Sequence, residues 1–105
     1  MKIRTSPWDV AEVLTTPERQ AAYLEVVFAE GDMGAFLKAL GDVARAKGMA
    51  RVSKASGLNR ESLYKSLRAS GKPSFDTVVK VLSSVDIRFA FAPVTTKKKA
   101  ARSVA

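Results

Sequence analysis

The run NRESLYKSLR, residues 59–68, holds only two aliphatic side chains, Leu63 and Leu67. They are four apart, so in a helix they share one face. Burying that face turns Asn59, Arg60, Glu61, Ser62, Tyr64, Lys65 and Arg68 outward. The chemistry of this set is recognition. Arg60 carries a planar fork that matches a guanine edge, and Glu61 can accept from cytosine N4. Ser62, Tyr64 and Lys65 can reach bases or phosphates. Arg60, Glu61 and Ser62 fall in the first helical turn, the part of a recognition helix that enters the major groove. Lys47, Arg51, Lys54 and Lys72 surround the run and offer charge to a phosphate backbone, which makes affinity salt-dependent. A solvated helical hairpin would carry the same side chains. The surrounding elements decide between the two.

Catalysis has little to work with. The chain has neither histidine nor cysteine, so the commonest general base and the thiol nucleophile are both missing. The scattered Ser, Lys, Asp and Glu form no paired-carboxylate or phosphate-loop pattern, so no enzyme activity, metal or cofactor is expected. A helix–turn–helix, by contrast, has packing demands that residues 49–69 meet. Its turn needs a residue tolerant of positive φ, here Gly57. Four residues earlier a small side chain must let the second helix cross, and Ser53 fits. Val52, Leu58, Leu63 and Leu67 supply the apolar positions around the turn. Ser56 and Ser66 are more polar than that pattern prefers.

The remaining segments read mostly as helices. WDVAEVL, residues 8–14, suits a turn or two with Trp8, Val10, Val13 and Leu14 inward. Thr16-Pro17-Glu18 is a helix start, a hydroxyl cap followed by proline and an acid. That helix runs to about Glu30 with Tyr23, Leu24, Val27 and Phe28 as its buried stripe, and Gly31 ends it. Asp32 caps a second helix, Met33 to Lys47, burying Phe36, Leu37, Leu40, Val43 and Ala44, with Gly48 beyond. A short third covers about 50–56. Asn59 caps a fourth, Arg60 to about Ala69, and Ser74 caps a fifth, Phe75 to Ser84, with Phe75, Val78, Val79 and Leu82 inward. Ile87, Phe89 and Phe91 then alternate with Arg88 and Ala90, the period of a strand, cut off by Pro93. A lone strand needs a partner. Two copies could pair antiparallel and bury Phe89 and Phe91 in a symmetric dimer, or the rings could cover their own core.

Charge is divided along the chain. Of the net +8, residues 1–36 carry −3 and residues 37–105 carry +11. A polyanion is attracted to the second half only. The lysine-rich end, VTTKKKAARSVA, reads as a disordered basic tail, either a non-specific DNA arm or nothing. With 105 residues, 47% of them hydrophobic, one small core is expected. No apolar run approaches the about 18 residues of a membrane span, and no signal peptide opens the chain, so a cytoplasmic protein is expected.

The block ALGDVARAKGMARVSKASGLNRESLYKSLRASGKPSFDTVVKVL, residues 39–82, resembles the addiction-module antidote proteins, the HigA-like antitoxins within the lambda-repressor-like (Xre) class. GLNRESLYKSL followed by GKPSFDTVVKVL is its most distinctive part, and DVAEVL near the start is also similar. The resemblance covers about residues 8–92. It implies an all-α fold: a five-helix lambda-repressor-like DNA-binding domain over 32–92, an N-terminal helical extension over 1–31, a short C-terminal β-strand, and a tail over 93–105. It implies a dimer that binds double-stranded operator DNA in its own promoter, represses its operon, associates with the nucleoid and neutralises a RelE/ParE-like toxin. It places the residues matching Asn59, Arg60, Glu61, Ser62, Tyr64 and Lys65 on the operator. The dimer contact expected from the residues themselves is Ile87, Phe89 and Phe91. The acidic segment 8–32 either attracts the basic toxin or packs on the core. A stand-alone Xre-type prophage regulator without a toxin is the alternative, and a purely structural interaction module a third.

Overall fold

A computed structural model describes residues 14–94. Five helices follow one another: α1 Pro17–Ala29, α2 Met33–Lys47, α3 Met49–Ser56, α4 Arg60–Ser66 and α5 Phe75–Ser84. Each polar start expected from the sequence forms its cap. Thr16, Asp32, Asn59 and Ser74 accept from the backbone N–H groups of Arg19, Ala35, Ser62 and Thr77. Each bond satisfies a donor that the helix itself leaves without a partner.

α1 lies along α2, and α3 packs against α2, α4 and α5. Between them sit the fully buried Leu40, Val43, Val52, Leu63, Leu67, Val81 and Val85. The stripe expected on α2 is buried in full. Two stripes depart from expectation. On α1, Leu24 is buried, Tyr23 and Val27 are half-buried, and Phe28 is exposed. On α5, Val78 and Leu82 face inward as expected, but Phe75 and Val79 are exposed and Val81 takes the core position. Both exposed rings lie toward the edge of their helix's apolar arc, where periodicity gives no sharp boundary.

The C-terminal β-strand is not formed: the described residues contain helices and no strand. A ladder needs a second strand, and none exists among them. Asp86 turns the chain at φ +66°, and the Ile87 N–H donates to Leu82 O at 2.9 Å. Ile87 and Phe89 then lie half-buried against the helices while Phe91 projects outward. The alternation therefore comes from a segment crossing the helices, with alternate side chains inward, and not from strand pairing. α4 also ends at Ser66, short of Ala69. The segment holding Trp8, Val10 and Val13 and the lysine-rich tail lie outside the described residues. No helix among the described residues is long and apolar enough to cross a membrane.

Candidate nucleic-acid interface

α3 and α4 meet at a turn built by a glycine and two serine side chains. Gly57 takes the left-handed conformation at φ +79°, and its N–H donates to Ser53 O. The Ser53 hydroxyl donates to Leu58 O at 2.5 Å across the turn. The Leu58 N–H donates to Ser56 Oγ at 3.2 Å. Ser53 is therefore more than a small residue at a crossing, and Ser56, which looked too polar for its place, closes the turn. Asn59 starts α4 by accepting from Ser62 N–H at 2.8 Å.

Leu63 and Leu67 anchor α4 in the core at 0% and 2% exposure. The chain leaving α4 is held by a feature invisible to hydrophobic periodicity. On α2, a Cβ at Gly41 would come within 2.6 Å of Leu67 O, and one at Gly34 within 2.8 Å of Ala69 O. The absent side chains form a channel two helical turns long, which receives the backbone after α4 and sets how far α4 stands from α2.

With α4 so fixed, Asn59, Arg60, Glu61, Ser62, Tyr64, Lys65 and Arg68 are all exposed. Arg51, Lys54 and Lys72 are also exposed. Among the described residues, none of Arg51, Lys54, Arg60, Lys65, Arg68 and Lys72 forms a salt bridge, so their donors point to water. Lys47 differs. Its ammonium pairs with Asp86 at 3.1 Å and its side chain is only 19% exposed, so its charge is already engaged.

A second polar cluster was not foreseen. Asp42 is 3% exposed on α2, in the middle of its apolar stripe. It accepts from the Tyr23 hydroxyl at 3.1 Å, from Arg45 at 3.1 Å and from Lys38 at 3.5 Å. Burial, reinforced by the Asp42 charge and its hydrogen bond, pushes the Tyr23 phenol up to about 12. The cluster pins α1 to α2. The sequence clue was an acid among Leu40, Val43 and Ala44 with cations four before and three after it. α1 also carries exposed acids: Glu18, Glu25, Glu30 and Asp32 are exposed along and just beyond it. No group of acids among the described residues could hold a metal ion.

The arrangement presents a fixed short helix with a polar outer face and unpaired cations around it. Comparison with known proteins identifies the family and leaves the motif to the geometry. A protein of Haemophilus influenzae, described only as uncharacterised, is 42% identical over 82 residues, covering 78% of this chain and 84% of that one. No solved structure matches. The sequence model of the family described as probable addiction module antidote protein matches residues 4–93, and the chain belongs to that family.

Proposed function

We propose that this antidote protein is a dimeric, sequence-specific DNA-binding antitoxin. Residues 32–92 act as a lambda-repressor-like helix–turn–helix domain that binds operator DNA in the promoter of its own operon, represses it, and so resides with the nucleoid. Residues 1–31 are an extension to that domain, and 93–105 a basic tail. α4 is the recognition helix. Arg60, Glu61 and Ser62 meet base edges, Tyr64, Lys65 and Arg68 extend the contact, and Arg51, Lys54 and Lys72 meet phosphates. Lys47 joins them only by releasing Asp86.

The observation that carries the reading is α4 itself. Five hydrogen-bonding side chains stand exposed on α4, Asn59 caps it and Arg68 lies two residues past its end, and its apolar side is locked by Leu63, Leu67 and the glycine channel of α2. Such a helix enters the major groove without reorganising. The antidote family implies a toxin, and we assign a RelE/ParE-like basic protein to the acidic outer surface of α1. The test is a binding titration on the DNA upstream of the gene, with the adjacent gene product added in a second arm. Specific, salt-dependent binding that Arg60→Ala weakens by about 1–3 kcal/mol supports the operator reading. Capture of the adjacent protein, abolished by reversing the charge of Glu18 and Glu25, supports the toxin assignment.

A further inference from the structure

We propose that a cleft between the start of α1 and the junction of α2 with α3 binds a small phosphate that brings its own O–H donor. The occupant is inorganic phosphate or a phosphorylated molecule that carries a hydroxyl. The cleft holds about 330 Å³, at the small end of the about 300–1,000 Å³ of small-molecule sites. Leu14, Thr15, Pro17 and Gln20 line it from the α1 side, and Lys47 and Arg51 from the other.

Gln20 singles this place out. It is 4% exposed, and its Oε1 is buried with no hydrogen-bond partner among the described residues. Turning the amide round does not cure this. Nε2 donates to Leu14 O at 3.1 Å, and a flip sets Oε1 against that carbonyl, one acceptor facing another. A buried acceptor left unmet is costly and rare. A ligand in the cleft that carries a donor meets it.

Charge gives the rest of the ligand. Arg51 is exposed and forms no salt bridge among the described residues. Its stem runs over Gly48, where a Cβ would lie 3.8 Å from Arg51 Cδ. Its planar fork matches the oxygens of a phosphate. Lys47 adds a second positive charge from a fixed place, held by Asp86 at 3.1 Å. Asp86 offsets one of the two cations, and no acid lines the cleft itself. The positive end of α1 lies at Pro17 and favours an anion further. Two cations alone suit any anion, but Gln20 Oε1 narrows the class. Hydrogen phosphate keeps a P–O–H, and a phosphorylated sugar brings hydroxyls. Sulfate and the phosphodiester of DNA bring no donor.

The site bears on operator binding, and in this respect alone the inference rests on that reading. Arg51 is assigned above to DNA phosphates. A small anion that holds Arg51 withdraws it from the duplex, so the occupied protein binds operator more weakly.

Calorimetric titration of the full chain with inorganic phosphate, sulfate and dimethyl phosphate in parallel tests the proposal. Phosphate is expected to bind at one site on the order of tenfold tighter than sulfate or dimethyl phosphate, the margin of one buried hydrogen bond. Arg51→Ala, at an exposed position, is expected to weaken phosphate binding by on the order of tenfold with its helical circular dichroism retained. Gln20→Met is expected to erase the preference for phosphate over sulfate. Should that variant fail to fold, the comparison of the three anions on the wild type carries the same test. Glycerol phosphate in a further arm separates the two sources: tighter binding than inorganic phosphate assigns the cleft to an organic phosphate, and weaker binding to the free ion. Sulfate bound as tightly as phosphate, or phosphate binding unchanged in Arg51→Ala, means an adventitious ion only and overturns the proposal. Dimethyl phosphate bound as tightly overturns it in favour of a contact to the DNA backbone. With phosphate at saturation, operator affinity is expected to fall below that in sulfate of equal ionic strength. Equal affinity overturns the coupling, whereas a chain that binds no operator leaves the anion titration untouched.

Discussion

Gly41 on α2 lies beneath the carbonyl of Leu67, the residue that closes α4, so closely that a Cβ there would reach 2.6 Å from the oxygen. The neighbour is backbone, and backbone cannot swing aside as a flexible side chain can. Gly41→Ala is therefore expected to push α4 off α2 and to destabilise the fold by about 1–3 kcal/mol. The midpoint of urea unfolding measures it. Because the displaced element is the proposed recognition helix, operator affinity should fall even at temperatures where the variant is fully folded. Unchanged stability would mean that α2 and α4 separate freely.

Arg60 makes no ion pair among the described residues and stands in the first turn of α4. Arg60→Ala is expected to cost about 1–3 kcal/mol of operator binding and to relax the preference at one base pair. Circular dichroism should be unchanged. Competition titrations with single-base operator variants locate the relaxed position.

Tyr23 ties alkaline stability to the α1–α2 seam. Its phenol is raised from 10.0 to about 12 in the folded chain, chiefly by burial and next by Asp42. Between those two values the folded state keeps a proton that the unfolded chain has released. Stability is thus fully present below pH 10 and falls as pH rises toward 12. Tyr23→Phe should cost about 1 kcal/mol near neutrality, where it removes the hydrogen bond to Asp42. It should also flatten the decline in alkali. Urea midpoints for both proteins, taken from about pH 9 to about pH 12, separate this group from the lysines, which both share.

The lysine-rich end contributes charge whatever its conformation. Removing residues 95–105 removes Lys97, Lys98, Lys99 and Arg102. Binding should weaken alike on operator and random duplexes, and the salt slope should fall by up to about 0.9 for each phosphate that the tail no longer neutralises. Weakening confined to the operator would instead assign the tail a part in base recognition.

The helices were legible because their starts are local chemistry. Thr16, Asp32, Asn59 and Ser74 each accept the bond that their position in the sequence announces. The outward set on α4 was legible too, since Leu63 and Leu67 leave only one face to bury. What escaped the sequence depends on neighbours distant along the chain. Periodicity marks Phe28 and Phe75 as apolar-face residues but cannot say that the domain leaves that part of the face uncovered. Alternation at Ile87, Phe89 and Phe91 is the same for a strand and for a segment crossing helices, and only the absence of a pairing neighbour distinguishes them. The role of Asp42 depends on Tyr23, nineteen residues away, whose hydroxyl donates to it. Gly34 and Gly41 carry no pattern of their own, because their role is the space they leave for Leu67 and Ala69.

The proposed operator binding and autorepression depend on α4 reading DNA. A titration of the full chain into a duplex of the sequence upstream of its gene, beside a scrambled duplex of equal length at physiological salt, measures that directly. Affinity for the upstream duplex is expected to be at least about 10³-fold tighter, and Arg60→Ala should narrow that difference by about 1–3 kcal/mol. Equal affinity for the two duplexes by the folded wild type would contradict the assignment of α4.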